Sequence, residues 1–121
     1  MTTLAWQRVL GGISGCTAIG TSAYGAHGLK PSKESYSKTF ESGARFHLLH
    51  SILLVATPSI CGRSNRRIAN VSGMLLTLGM AMFSGSCYAV ALTEDRKNGK
   101  AAPAGGVALM AGWLSLALVR R

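Results

Sequence analysis

Residues 44–61 read ARFHLLHSILLVATPSIC. Arg45 is followed by a run in which two histidines, His47 and His50, sit three apart at the head of Ile, Leu, Val and Ala side chains. From 46 to 62 there is no Asp, Glu, Lys or Arg, and three more stretches share that property: 9–29, 68–93 and 101–119. A helix crosses the hydrocarbon core with about 20 residues, range roughly 17–25. Each stretch is close to that length. The whole chain therefore reads as one all-α domain over residues 1–121, a four-helix transmembrane bundle with helices at about 5–27, 44–61, 67–92 and 102–119 and both termini on one side.

The charges support this reading by position more than by number. Only 14% of the 121 residues are charged, against 48% hydrophobic, where soluble chains carry about 25% charged residues. All of them lie in 1–8, 30–45, 63–67, 94–100 and 120–121. A soluble bundle would place charged or strongly polar residues along one face of each helix. These segments offer only Ser, Thr, Gly, Asn and His there. The net charge of +9 raises a nucleic-acid reading, which the layout excludes: the basic residues bracket apolar segments instead of forming one basic face, as in membrane proteins. Arg63, Arg66, Arg67, Arg120 and Arg121 are expected to meet anionic lipid, cardiolipin among the candidates. Basic residues divide almost evenly between the two ends and do not fix orientation. Trp6 and Trp113 are expected near the end that holds the termini, as an aromatic belt.

Segment 9–29 reads as the first membrane helix in preference to a secretory leader. Cys16, Cys61 and Cys87 are an odd, dispersed set inside apolar segments, which suits packing and not a disulfide framework. The connector 30–45 reads as helical in its second half, with Glu41 and Arg45 as an i, i+4 pair, and runs into the second helix, where Pro58 is expected to introduce a bend. Pro103 suits the first turn of the fourth helix.

Small residues recur at helical spacing: Gly11 and Gly15; Ala81, Gly85 and Ala89; Ala104, Ala108 and Gly112. Such stripes let helix backbones approach closely in a membrane. A stripe used for a partner protein is the sharper alternative.

Polar chemistry collects toward the end opposite the termini. His27, His47, His50, Ser84, Ser86 and Tyr88 form the candidate polar cluster. Three roles compete for it. A metal or haem site needs at least three ligands, and HxxH supplies two on neighbouring turns, with His27 as the candidate third. A proton path needs titratable groups, and histidine is one, although no helix centre carries an acid. The simplest role is hydrogen bonding that closes the interfacial end of the bundle. No nucleophile, acid–base pair or ligand set is recognisable, so no catalytic residues, metal or cofactor are assigned.

Four motifs in order, SAYGAHGL, FHLLHSILL, MFSGSCYAVAL and APAGGVALMAGWLSLAL, resemble the eukaryotic transmembrane protein 256 family, itself similar to bacterial membrane proteins with domain of unknown function 423. The likeness covers about residues 6–119. Gly25, His27, Gly28, His47, His50, Ser84, Gly85, Tyr88, Pro103, Gly105, Gly106, Gly112 and Trp113 match its pattern; Cys87 and the loop GRSNRR do not belong to it. The resemblance implies a small four-helix membrane protein of mitochondria, with the inner membrane the expected location, and no established activity. The expectation from the residues and the resemblance together is a non-catalytic accessory subunit packed against other membrane subunits of a respiratory-chain complex. A small transporter or channel-like protein with the histidines at its mouth is the alternative.

Overall fold

The computed structural model describes residues 5–120. Four helices follow one another: α1 (Trp6–His27), α2 (Glu34–Cys61), α3 (Arg66–Thr93) and α4 (Ala102–Leu116). Short 3-10 turns at Arg63–Asn65 and Arg96–Gly99 precede α3 and α4. No strand occurs among the described residues.

The second helix is longer than the charge-free run. It starts at Glu34 and absorbs the charged connector, because nothing between 34 and 57 breaks it and its charges lie on an exposed side. Glu34 sits in the first turn, where the helix dipole favours an acid. Arg45 Nη2 donates to Glu41 Oε1 at 3.2 Å on that exposed face, a contact worth about 0.3–0.5 kcal/mol. The helix passes through Pro58 and stops at Gly62, whose φ of 69° suits glycine. His47 is thus about 20 Å of helix from the start of α2, at ~1.5 Å per residue. It does not stand at a helix mouth.

Helix α4 ends at Leu116, short of the expected 119. Its last residues tighten into i→i−3 hydrogen bonds from Ala117, Leu118 and Val119. The chain is then held by Asn65. That side chain donates to Arg120 O at 2.7 Å and to Cys61 O at 2.8 Å, and accepts from Arg120 N at 3.3 Å. At 15 residues, α4 is about 22 Å long at ~1.5 Å per residue, shorter than the ~30 Å hydrocarbon core. Among the described residues, two segments are long and apolar enough to cross a membrane by length and composition: Glu34–Cys61 and Arg63–Thr93. Helix α1 has the length, but its Gly, Ser and Thr content leaves it less apolar.

Consecutive helices pack on one another, α1 on α2, α2 on α3 and α3 on α4. Leu53 and Leu54 of α2, Leu76 and Met80 of α3, and Leu109 of α4 form the buried core. Glycines bring α3 and α4 into backbone contact. A Cβ on Gly105 would lie 2.5 Å from Phe83 N and 2.9 Å from Gly79 O, and one on Gly79 would meet Leu109 and Gly105 O. Gly11 lets α1 rest against Val55 and Ser51 of α2 in the same way.

At one end of the bundle, Glu94 forms a clamp. It terminates α3 in the left-handed region, φ 53°. Its Oε1 accepts from Ser32 N at 2.6 Å and Ser32 Oγ at 2.8 Å, while its carbonyl accepts from Tyr36 OH at 2.9 Å. Arg96 donates to Thr39 and lies 5.1 Å over the Tyr36 ring. The Ser32 backbone N–H, then its hydroxyl, then Lys33 hold the Glu94 carboxyl below the usual carboxylate range. A lowered folded-state pKa means the contact is complete above the ordinary carboxylate value and is lost as pH falls through the lowered one. In a pH titration by NMR, the Ser32 amide resonance is expected to follow Glu94 ionisation, and Glu94→Gln to abolish that response.

Candidate functional site

The residues that converge come from three helices. α2 supplies His47 and Ser51, α1 supplies Ser14 and Thr21, and α3 supplies Met80, Ser84 and Tyr88. His47 is half-buried. Its Nδ1 lies 2.9 Å from Tyr88 OH and its Nε2 3.0 Å from Ser14 Oγ. Ser14 Oγ is 2.7 Å from Ser51 Oγ, which reaches His47 O at 2.7 Å. On the other arm, Tyr88 OH is 3.1 Å from Thr21 Oγ1, itself 2.9 Å from Ala18 O. Both Ser14 and Ser51 also approach Met80 Sδ, at 3.5 and 3.6 Å, a weak acceptor. Ser84 donates to Gly43 O at 2.8 Å, where α2 and α3 come close: a Cβ on Gly43 would meet Cys87 Cβ at 2.6 Å.

A cavity of about 250 Å³ lies beside this network. Leu10 and Ser14 form its α1 wall, His47 its α2 floor, and Thr77, Met80, Ala81, Ser84, Gly85 and Tyr88 its α3 wall. Contacts between α1 and α3 bound it. Trp6 Nε1 and Gln7 Nε2 both reach Asn70 Oδ1 at one end, and Thr21 meets Tyr88 at the other. Ala81 and Gly85 are exposed, and a Cβ on Gly85 would meet nothing within 4 Å.

His50 belongs to a different face. Its Nδ1 lies 2.7 Å from Phe46 O and its Nε2 3.1 Å from Trp113 Nε1. A carbonyl only accepts and an indole N–H only donates, so the tautomer is fixed with the proton on Nδ1. Phe46 stacks on Phe83 beside it, centroids 4.7 Å apart. The two histidines of HxxH therefore serve opposite flanks, one toward α1 and one toward α4.

Of the six residues expected to cluster, the structure joins His47 and Tyr88 directly and places Ser84 on the same cavity wall. His50 faces α4. Ser86 is buried in α3 and does not line the cavity. His27, the last residue of α1, is exposed and outside the network, so it does not close the site as expected. No group of three or more His, Cys, Asp or Glu able to hold a metal occurs among the described residues. Cys61 and Cys87 are buried, whereas Cys16 is exposed.

The small residues divide likewise. Gly11 and Gly112 sit at tight helix contacts, the latter against Leu76, and Gly15 lies 3.7 Å from Ser51. Ala81 and Gly85 line the cavity, Ala89 and Ala108 are half-buried, and Ala104 is exposed. The α3–α4 contact runs through Gly79, Gly105 and Leu109, one register from the expected Ala104–Ala108 stripe. Arg63, Arg66, Arg67 and Arg120 are exposed, and Arg121 lies outside the described residues. Trp6 and Trp113 are engaged with Asn70 and His50.

Sequence reasoning missed Ser14, Thr21, Ser51 and Met80. A mid-helix Ser or Thr usually bonds the carbonyl one turn back, as Thr17 and Thr57 do here, so its presence alone carries no signal.

Residues 21–106 match the family described as "Protein of unknown function (DUF423)". The chain belongs to that family. Among its relatives, the UPF0382 membrane protein of Staphylococcus haemolyticus is 37% identical over 109 residues, covering 89% of this chain and 88% of the relative. That of Staphylococcus saprophyticus is 37% identical over 111 residues, covering 91% and 92%. The UPF0382 membrane protein YwdK of Bacillus subtilis is 30% identical over 110 residues, covering 89% of each. No solved structure matches. This DUF423 chain is accordingly a small all-α membrane protein, and these three relatives are bacterial membrane proteins.

Proposed function

We propose that the protein is a non-catalytic accessory subunit that packs against other subunits of a membrane complex. The observation that carries this reading is the contrast between inside and outside. Inside, no buried side-chain polar atom among the described residues lacks a partner, so the polar groups hold the bundle together. Outside, Val107, Met110 and Leu114 of α4, and Leu118 two residues beyond its end, are all 59% exposed or more and follow one another at three- to four-residue spacing. Lipid covers such a stripe by default; a partner helix is the sharper occupant. The mitochondrial inner membrane and a respiratory-chain complex are the setting proposed first, with the exposed arginines against anionic lipid such as cardiolipin.

Photo-crosslinking from positions 110 and 114 tests the reading. A subunit is expected to give one discrete protein adduct, whereas lipid adducts alone would count against it. The cavity beside His47 favours one second reading, a small transporter. That reading requires His47→Ala to abolish a flux in reconstituted vesicles while protein level is unchanged.

A further inference from the structure

The two arms of the His47 network can be counted proton by proton. Six contacts are present: Thr21 to Ala18 O, Thr21 to Tyr88, Tyr88 to His47 Nδ1, His47 Nε2 to Ser14, Ser14 to Ser51, and Ser51 to His47 O. Each hydroxyl has one proton to donate. The carbonyls at the two ends only accept, so protons must flow outward along both arms for every contact to be a hydrogen bond. Thr21 then donates to Ala18 O, and Tyr88 donates to Thr21. Ser51 donates to His47 O, and Ser14 donates to Ser51. Tyr88 and Ser14 have thereby used their protons, and both must accept from His47. Both ring nitrogens then carry hydrogen.

A neutral His47 fills only five of the six contacts. With the proton on Nδ1, Ser14 turns to donate to Nε2, Ser51 turns to Ser14, and the Ser51–His47 O bond is lost. With the proton on Nε2, Tyr88 donates to Nδ1, and Thr21 satisfies either Ala18 or Tyr88 but not both. The Met80 sulfur is a weak alternative acceptor for Ser14 and Ser51 and does not replace a lost oxygen contact. His50 makes the contrast: its partners, one carbonyl and one indole N–H, accept one proton and offer another, which a neutral ring satisfies completely.

We propose that His47 is a proton-binding site of this bundle, and that its hydroxyl neighbours are arranged around the imidazolium form. Proton uptake adds one hydrogen to the free ring nitrogen and rotates hydroxyls along one arm; no covalent bond between heavy atoms changes. The ring is half-buried and lines the cavity, so it is not sealed within the bundle. Around it, α1 presents Leu10, Ser14 and Thr21, none of which titrates. α3 presents Met80, Ser84 and Tyr88, of which Tyr88 alone titrates. On α2 itself, Glu41 and Arg45 pair with each other on the exposed side. The inference does not rest on the accessory-subunit reading.

The two arms make separable tests. Thr21→Val removes the acceptor of the Tyr88 proton, so Tyr88 is left to donate to Nδ1. Ser51→Ala removes the acceptor of the Ser14 proton, so Ser14 is left to donate to Nε2. The experiment is ring ¹⁵N NMR of histidine-labelled full-length protein in lipid nanodiscs, from pH 8 to pH 5. Wild-type His47 is expected to become imidazolium as pH falls. At high pH, Thr21→Val is expected to show the Nε2–H tautomer and Ser51→Ala the Nδ1–H tautomer. The double variant is expected to lower the protonation midpoint by about one unit, a tenfold loss of proton affinity. Thr21→Ser keeps the hydroxyl and is expected to match the wild type, which separates hydrogen bonding from packing. A His47 that stays neutral over the whole range, one tautomer in both single variants, or an unmoved midpoint in the double variant overturns the proposal.

Discussion

Gly105→Ala is expected to destabilise the bundle by about 2–3 kcal/mol, at the upper end of the ~1–3 kcal/mol typical for overpacking. The added methyl would sit 2.5 Å from Phe83 N and 2.9 Å from Gly79 O. Both are backbone atoms and cannot swing aside, so α4 must move off α3. That loss outweighs the roughly 0.5–1 kcal/mol that alanine gains over glycine within a helix. Gly12→Ala is the matched control. Nothing lies within 4 Å of a Cβ there, so only the propensity gain of about 0.5–1 kcal/mol remains, and the sign reverses. Reversible unfolding in mixed micelles reads both changes. Equal effects of the same sign would mean that α3 and α4 are not in backbone contact at Gly105.

His47→Leu is expected to cost about 1–3 kcal/mol, from two lost hydrogen bonds at roughly 0.5–1.5 kcal/mol each. The loss is bounded because Tyr88 keeps Thr21 and Ser14 keeps Ser51. His27→Leu, at an exposed helix end outside the network, is expected to stay within about 0.5 kcal/mol. The same unfolding measurement distinguishes them. A His27 variant as damaging as the His47 variant would contradict the site described above.

The helical segmentation was legible because charge punctuates this chain. Every gap between charged patches became a helix, and Pro103 took the first turn of α4 as expected. Helix boundaries were less legible where charge and helix do not coincide. The connector 30–45 reads as helical in its second half, running into the second helix; the structure starts that helix already at Glu34, with the acidic and basic side chains on the outside of a continuous α2. The end of α4 is set by a side chain far away in sequence, Asn65, which no local pattern reveals. Contact faces were the hardest to read. In α4 the rows 104–108–112 and 105–109–112 both carry small or apolar residues, and spacing alone does not say which one meets α3. In the site, HxxH suggested a pair, but a ring on α2 can turn toward α1 or α4 according to what those helices present. Ser14 of α1 and Tyr88 of α3 draw the His47 ring one way, and Trp113 of α4 draws His50 the other.

The accessory-subunit reading is tested most directly by native electrophoresis of gently solubilised membranes, with mass spectrometry of the band that holds this protein. Comigration with a large membrane complex, of the respiratory chain in mitochondria, is expected, with loss of that band when the complex is absent. Migration as a small free species, unchanged by removal of any such complex, would contradict it.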